Sequence, residues 1–206
     1  MDLVLKYFPE ITEQQKALLG ELMTLYGDWN LKINLISRKD FDHFYERHVL
    51  HSLSIAKAIS FKNGTEVLDF GTGGGFPGIP LAIWFPNVSF TLIDSIGKKI
   101  KVVKDIAEKL NLNNVEALNL RGEQLDKSFD FVVSRAVTDL PTFSKWVNYR
   151  IRKKGFNDLK NGILYLKGGD ILQELLDSKK HYRLFPLSDF FAEDFFDTKY
   201  LVHLFD

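Results

Sequence analysis

Glu66-Val-Leu-Asp-Phe-Gly-Thr-Gly-Gly-Gly-Phe-Pro-Gly-Ile-Pro80 decides how the rest of the chain is parsed. A short apolar run, Val67 to Phe70, carries a single carboxylate at Asp69. Four glycines follow within five residues, at Gly71, Gly73, Gly74 and Gly75, and Pro77-Gly78 leads into a second apolar run from Ile79 to Phe85. The pattern predicts a buried strand, a tight turn and the first turn of a helix. Glycine admits positive φ and lets a ligand reach the backbone with no Cβ in the way. Unpaired N–H groups and the positive end of the helix dipole then converge at the carboxyl end of the strand. Nucleotide-like groups are held this way in α/β folds.

Downstream of this stretch the periodicity alternates. Val88–Ile93 reads as a second strand ending at Asp94, and Lys98–Leu110 as a helix with Ile100, Val103, Ala107 and Leu110 on one face. Val115–Leu120, Asp130–Ser134 and Ile163–Leu166 read as further strands, with helices over Leu140–Tyr149 and Asp170–Asp177. Alternating βα units predict a doubly wound, mainly parallel sheet with helices on both faces. Tyr182–Phe185 and Lys199–Phe205 alternate as half-exposed strands with little helix between them, so they are expected to pair antiparallel at one edge. Upstream, residues 1–60 read as helical. Thr12 with Gln15 fits a capping box, and Leu18, Leu22, Leu25 and Trp29 form a stripe behind it. A second helix is expected from about Asp40 to Ile59. The chain therefore divides into an N-terminal helical extension, 1–60, and an α/β domain, 61–206.

Composition narrows the function classes. There are no cysteines, which excludes disulfides, thiolate metal sites and cysteine nucleophiles. Lys+Arg and Asp+Glu are both 27, so net charge gives no argument for a nucleic-acid partner, although it permits a local basic face. No apolar run approaches the roughly 18 residues of a membrane span. Met1 to Phe8 lacks a basic n-region and a small-residue cleavage site. A soluble, cytoplasmic chain is expected, with no membrane contact.

The glycine turn admits two registers. Gly73-x-Gly75-x-x-Gly78 matches the dinucleotide fingerprint, but that fingerprint places its first glycine directly after the strand. The glycine directly after this strand is Gly71. Read from there, Asp69-x-Gly71-x-Gly73-x-Gly75 resembles motif I of S-adenosylmethionine-dependent methyltransferases, in which the acid holds the loop amides or the methionine ammonium. Asp94, 23 residues past Gly71, suits a ribose-binding acid in either register, or an N-cap for the helix after it. Asp69 in a buried strand needs a partner, and the loop amides are nearest.

The continuation is more specific than the glycines. Gly71-Thr-Gly-Gly-Gly-Phe-Pro-Gly-Ile-Pro-Leu-Ala-Ile83 resembles the extended motif of the bacterial small-subunit ribosomal RNA methyltransferase G family. Asn34-Leu-Ile-Ser37, Arg47-His48 with Ser52, Leu92-Ile-Asp-Ser95 with Lys98-Lys99, Ser134-Arg-Ala136 and Leu166-Lys-Gly168 fall in that family's order. The resemblance covers nearly the whole chain. It implies a Rossmann-like class I methyltransferase fold, S-adenosyl-L-methionine as cofactor, and methylation of N7 of a guanine in 16S rRNA, free or in the small subunit; a monomer is expected. It implies cofactor contacts from Gly71, Phe76, Gly122, Glu123 and Arg135, to which the loop reading adds Asp69, Gly73, Gly75 and Asp94. Two positions depart: Gly74 stands where the family has proline, and His51 where it has aspartate.

Guanine N7 carries a lone pair and no proton at neutral pH, so alignment alone can drive its methylation and no catalytic acid, base or nucleophile is expected. For the RNA, Arg47, His48 and Lys167 are candidates, as are Arg152 and Lys153 in the dense run Arg150-x-Arg-Lys-Lys154. His43, His48 and His51 are spaced by five and three, which puts only two imidazoles on one face, and no metal is expected. Three other readings stay open: a methyltransferase with another substrate, a non-catalytic nucleotide- or RNA-binding module, and a dinucleotide oxidoreductase.

Overall fold

A computed structural model describes residues 1–206. Five strands run parallel: β1 (Glu66–Phe70), β2 (Ser89–Asp94), β3 (Val115–Asn119), β4 (Phe131–Arg135) and β5 (Gly162–Gly168). β6 (His181–Pro186) and β7 (Lys199–Phe205) complete one seven-stranded sheet in the order β3-β2-β1-β4-β5-β7-β6. β7 runs antiparallel to both β5 and β6, as the alternating pattern of the last two segments predicts. The strand order reverses between β1 and β4, so a crevice opens above the carboxyl ends of these two strands and β2.

Between the strands lie α5 (Gly78–Trp84), α6 (Gly97–Lys109), α7 (Leu140–Val147) and α8 (Leu172–Ser178). Alternate residues of the central strands feed two apolar layers. Val67, Leu92 and Val133 join one with α5 and α6, while Leu68, Val132 and Ile163 join the other with α7 and α8. This double coverage is why β1 and β4 read as continuous apolar runs rather than alternating ones.

The N-terminal part holds α1 (Asp2–Tyr7), α2 (Glu13–Asn30), α3 (Arg38–Phe41) and α4 (His51–Ala58). The Thr12–Gln15 capping box forms in both directions. Where one continuous helix is expected from about Asp40 to Ile59, the chain instead breaks after α3 and passes through a π-helical turn, Tyr45–Leu50, into α4. A π-turn inserts one residue into the helical ladder and turns its side chains and carbonyls to new directions. Leu19, Leu22, Tyr26, Val49 and Leu53 bury in the same core as α5 and α6. Residues 1–60 and 61–206 thus differ in secondary structure but share one core. No helix is long and apolar enough to cross a membrane.

Candidate functional site

The glycine turn is held from below by Asp69. Its carboxylate is completely buried; Oδ2 accepts the Thr72 hydroxyl at 2.6 Å and the Gly78 amide at 2.8 Å. A Cβ on Gly78 would sit 2.7 Å from that same oxygen, which is why the helix begins on glycine. Burial pushes the Asp69 carboxyl up to about 7, against the pull of its two hydrogen bonds. Asp69 is therefore placed behind the turn, where it clamps the backbone; its Oδ1 is buried without a partner, and it is not among the residues that line the crevice. Of its two expected roles, holding the loop is the one this geometry shows. Gly75 also lies outside the crevice lining. At φ +102° it is buried against Ile79 and Tyr26, so its missing Cβ makes room for packing rather than for a ligand. The Tyr26 hydroxyl donates to the Gly74 carbonyl at 2.6 Å, tying the turn to α2, a link the sequence does not signal.

Above the turn lies a cleft of about 790 Å³. Gly71, Gly73, Phe76, Asp94, Gly122, Glu123 and Arg135 all line it. Gly71 takes φ +70° as the chain leaves β1, and a Cβ there would meet Val137 at 2.8 Å. Asp94 ends β2 and is 8 % exposed. Its Oδ2 accepts the Gly73 amide at 3.0 Å, and Oδ1 accepts the Ile96 amide at 2.8 Å. Helix α6 starts at Gly97 after Ile96 with no side-chain cap, so Asp94 does not cap it. The Lys99 ammonium, 3.8 Å away, adds a partial counter-charge. Trp146, Tyr149 and Lys145 complete the cleft from α7 and the turn after it; nothing in their local sequence announces this.

Arg135 ends β4 and stands in two walls at once. It lines the cleft and also a second hollow of about 220 Å³, which Arg47, His48, His51, Lys167 and Lys199 line with it. One Nη of Arg135 donates to the Arg47 carbonyl at 3.0 Å, a group the π-turn presents, and the other donates to His48 Nδ1 at 3.1 Å. Guanidinium nitrogens can only donate, so His48 Nδ1 must be the acceptor and its proton sits on Nε2. Burial, reinforced by Arg135, lowers the His48 pKa to about 3, so the ring is neutral. The Arg135 guanidinium lies 5.4 Å from the Phe76 ring centroid, within cation–π range. Burial lowers its pKa to about 10, which leaves it charged near neutrality.

The charges around the hollow are partly neutralised. Arg47 pairs with Asp40 at 2.7 Å, and Lys167 pairs with Glu174 while donating to the Thr138 carbonyl at 3.1 Å. Arg135 and Lys199 have no carboxylate partner and leave the hollow cationic. Lys199, from the antiparallel strand β7, belongs to this group although sequence reasoning passes it over. The His51 ring packs edge-on against Phe195 and Phe196, with its Nε2 buried and unpaired. No three His, Asp or Glu side chains come together in a metal-holding arrangement.

Arg152 and Lys153 are not brought to this site. Arg152 pairs with Glu66 and, at 3.3 Å, with Asp130, at the amino ends of β1 and β4. Lys153 lines a separate depression with Arg152, Asn157 and Asp158 at that same end. The two expected RNA contacts therefore lie at the end of the sheet opposite the cleft. Density of basic residues along the chain does not fix the end of the sheet to which their loop belongs.

The model of the family described as rRNA small subunit methyltransferase G matches residues 15–195. A relative from Flavobacterium psychrophilum named ribosomal RNA small subunit methyltransferase G is 56% identical over 204 residues, covering 99% of this chain and 97% of its own. Another of that name, from Christiangramia forsetii, is 55% identical over 204 residues, covering 99% and 96%. Among solved structures, a SAM-dependent methyltransferase from Aquifex aeolicus superposes with TM-score 0.58 at 15% identity, covering 82% of this chain and 98% of its own. A precorrin-6y C5,15-methyltransferase from Geobacter metallireducens gives TM-score 0.57 at 14% identity, covering 84% and 91%. These structural likenesses establish the fold alone.

Proposed function

The chain belongs to the small-subunit ribosomal RNA methyltransferase G family, and from that premise we propose that it transfers a methyl group from S-adenosyl-L-methionine to N7 of a guanine in 16S rRNA. The observation that carries this reading is the position of Arg135. One guanidinium walls a glycine-lined cleft with a recessed carboxylate on one side and a cationic hollow on the other. A nucleoside cofactor and an anionic nucleic acid would meet at that residue.

The residues fit the cofactor. Asp94 turns its carboxylate to the cleft beside the Gly73 amide, as an acceptor for ribose hydroxyls. Gly71 and Gly73 leave the backbone open, Gly122 and Glu123 lie where the adenine edge would bind, and Phe76 with Arg135 closes the methionine end. When bound, the cofactor supplies an electrophilic sulfonium methyl. The protein then has to align a lone pair with it and exclude water, and no proton need be removed from N7. The site agrees with this economy. Asp69 is sealed beneath the turn, and the protonated Nε2 of His48 is buried, so neither is a base for substrate. Arg47, His48 and Lys167 take the RNA side in this reading, with Lys199 added. The enzyme acts as a cytoplasmic monomer on free or subunit-assembled RNA.

Isothermal titration with S-adenosylmethionine and with NAD tests the cofactor assignment. Binding of the first without the second is expected. Binding of NAD alone would return the turn to the dinucleotide register.

A further inference from the structure

Within the run Arg150-x-Arg-Lys-Lys154, Arg150 is the buried member, 4 % exposed, and its head points toward the cleft end of the sheet. Its Nη2 donates to the Gly122 carbonyl and lies 2.9 Å from the Tyr149 hydroxyl, while the guanidinium stacks 4.5 Å from the Tyr149 ring centroid. It has no carboxylate partner, and its Nε is buried with no acceptor. The unpaired Nε is a cost to the fold, set against the two Nη2 hydrogen bonds and the ring contact. The effect of Arg150 is to hold one peptide, Gly122–Glu123, from the α7 side.

That peptide has little freedom. A Cβ on Gly122 would lie 2.3 Å from the Phe70 ring, so the backbone rests on that ring and only glycine fits. Trp146 and Tyr149 rise beside it, 45 % and 63 % exposed, with the Trp146 ring 6.3 Å from Phe70 at 32°. Two open aromatic faces beside a fixed polar loop suit a flat heteroaromatic ring, which packs on the faces and hydrogen-bonds through its edge.

We propose that Arg150 is a positioning residue for the cofactor's nucleobase, acting through Gly122, and that Trp146 and Tyr149 form the wall against which the base packs. This rests on the adenosyl-cofactor reading above. The loop discriminates adenine from a base with another 6-substituent because Arg150 holds it in register; without the brace the edge contacts blur while the aromatic wall remains.

The full-length chain is titrated with S-adenosylhomocysteine and S-inosylhomocysteine, with calorimetry and tryptophan emission as readouts. Trp29 and Trp84 lie on the other face of the sheet, bonded to Asp105 and packed on Phe8, so Trp146 should carry the emission change. The change is expected in wild type and absent in Trp146→Phe, which still binds. Arg150→Met should lose about tenfold in adenosyl affinity and most of the adenosyl-over-inosyl preference, with Arg150→Lys restoring part of both. Tyr149→Phe, which removes one tether without touching the buried guanidinium, should lower the preference less and covers the case in which Arg150→Met fails to fold. An equal loss for both ligands, leaving the preference intact, overturns the positioning role. Binding by wild type with the emission change intact in Trp146→Phe overturns the wall. Failure of wild type to bind S-adenosylhomocysteine overturns the cofactor reading itself, and that outcome is distinct from the other two.

Discussion

Asp69 accepts the amide of Gly78, nine residues further along the chain, at 2.8 Å. One bond thus joins the strand before the glycine turn to the helix after it and closes the loop upon itself. The motif's acid is an internal brace, and the acid that lines the cleft is Asp94 on the neighbouring strand. Both carboxylates grip the turn, Asp69 from beneath and Asp94 from the cleft side through Gly73.

Replacing Asp69 should therefore act on folding before it acts on binding. Asp69→Ala leaves the buried Gly78 amide and Thr72 hydroxyl without acceptors, a loss of about 1–3 kcal/mol in chemical denaturation. Asp69→Asn reports on charge. The folded carboxyl titrates near 7, above the ordinary 3.8, so its stabilising share is whole below about pH 4 and is lost as pH rises through 7. Wild type should then lose stability relative to Asp69→Asn over that window. Parallel curves would mean the carboxylate is not held out of water.

Asp94→Ala should weaken S-adenosylmethionine binding by about 1–3 kcal/mol, the scale of hydrogen bonds to a charged acceptor. Calorimetry reads this directly. Unchanged affinity would reduce Asp94 to a support for the Gly73 and Ile96 amides.

Two glycines make a matched pair for thermal unfolding. A methyl on Gly78 meets Asp69 Oδ2 and Leu92 Cγ, each at 2.7 Å, so Gly78→Ala should cost about 1–3 kcal/mol by overpacking. Gly20 lies inside α2 with nothing within 4 Å of its absent Cβ, and Gly20→Ala should stabilise by about 0.5–1 kcal/mol. A Gly78→Ala protein with wild-type melting would mean that the strand-to-helix turn is looser than its contacts imply.

RNA affinity measured against salt separates the two basic regions. Lys199→Gln should weaken binding and reduce the slope of log affinity on log salt by about 0.7, as for one lost phosphate contact on single-stranded RNA. Arg152→Gln, at the opposite end of the sheet, should leave the slope alone. The reverse pattern would move the RNA to the amino ends of the strands.

The strands, the turn and most helices were legible because burial on two faces writes itself into runs of Val, Ile, Leu and Phe, and because glycine marks the turn. The cleft glycines, Phe76, Asp94 and Arg135 were legible through spacing and resemblance. The π-turn was not, since one inserted residue leaves no periodic signature in Tyr45–Leu50. Nor was the facing of Asp69, because an acid ending a strand can point under the loop or over it, and only the Gly78 amide decides. Arg150, Arg152 and Lys153 look alike in sequence, yet one braces Gly122, one pairs with Glu66 and one lines a remote depression. Lys199 reaches the hollow only because β7 inserts antiparallel beside β5.

Methyl transfer from labelled S-adenosylmethionine to 16S rRNA, followed by nucleoside chromatography, tests the central claim most directly. The account predicts label in 7-methylguanosine from deproteinised 16S rRNA or small subunits, and less of it in Asp94→Ala at limiting cofactor. Label confined to a small metabolite, or to another nucleoside, would contradict it.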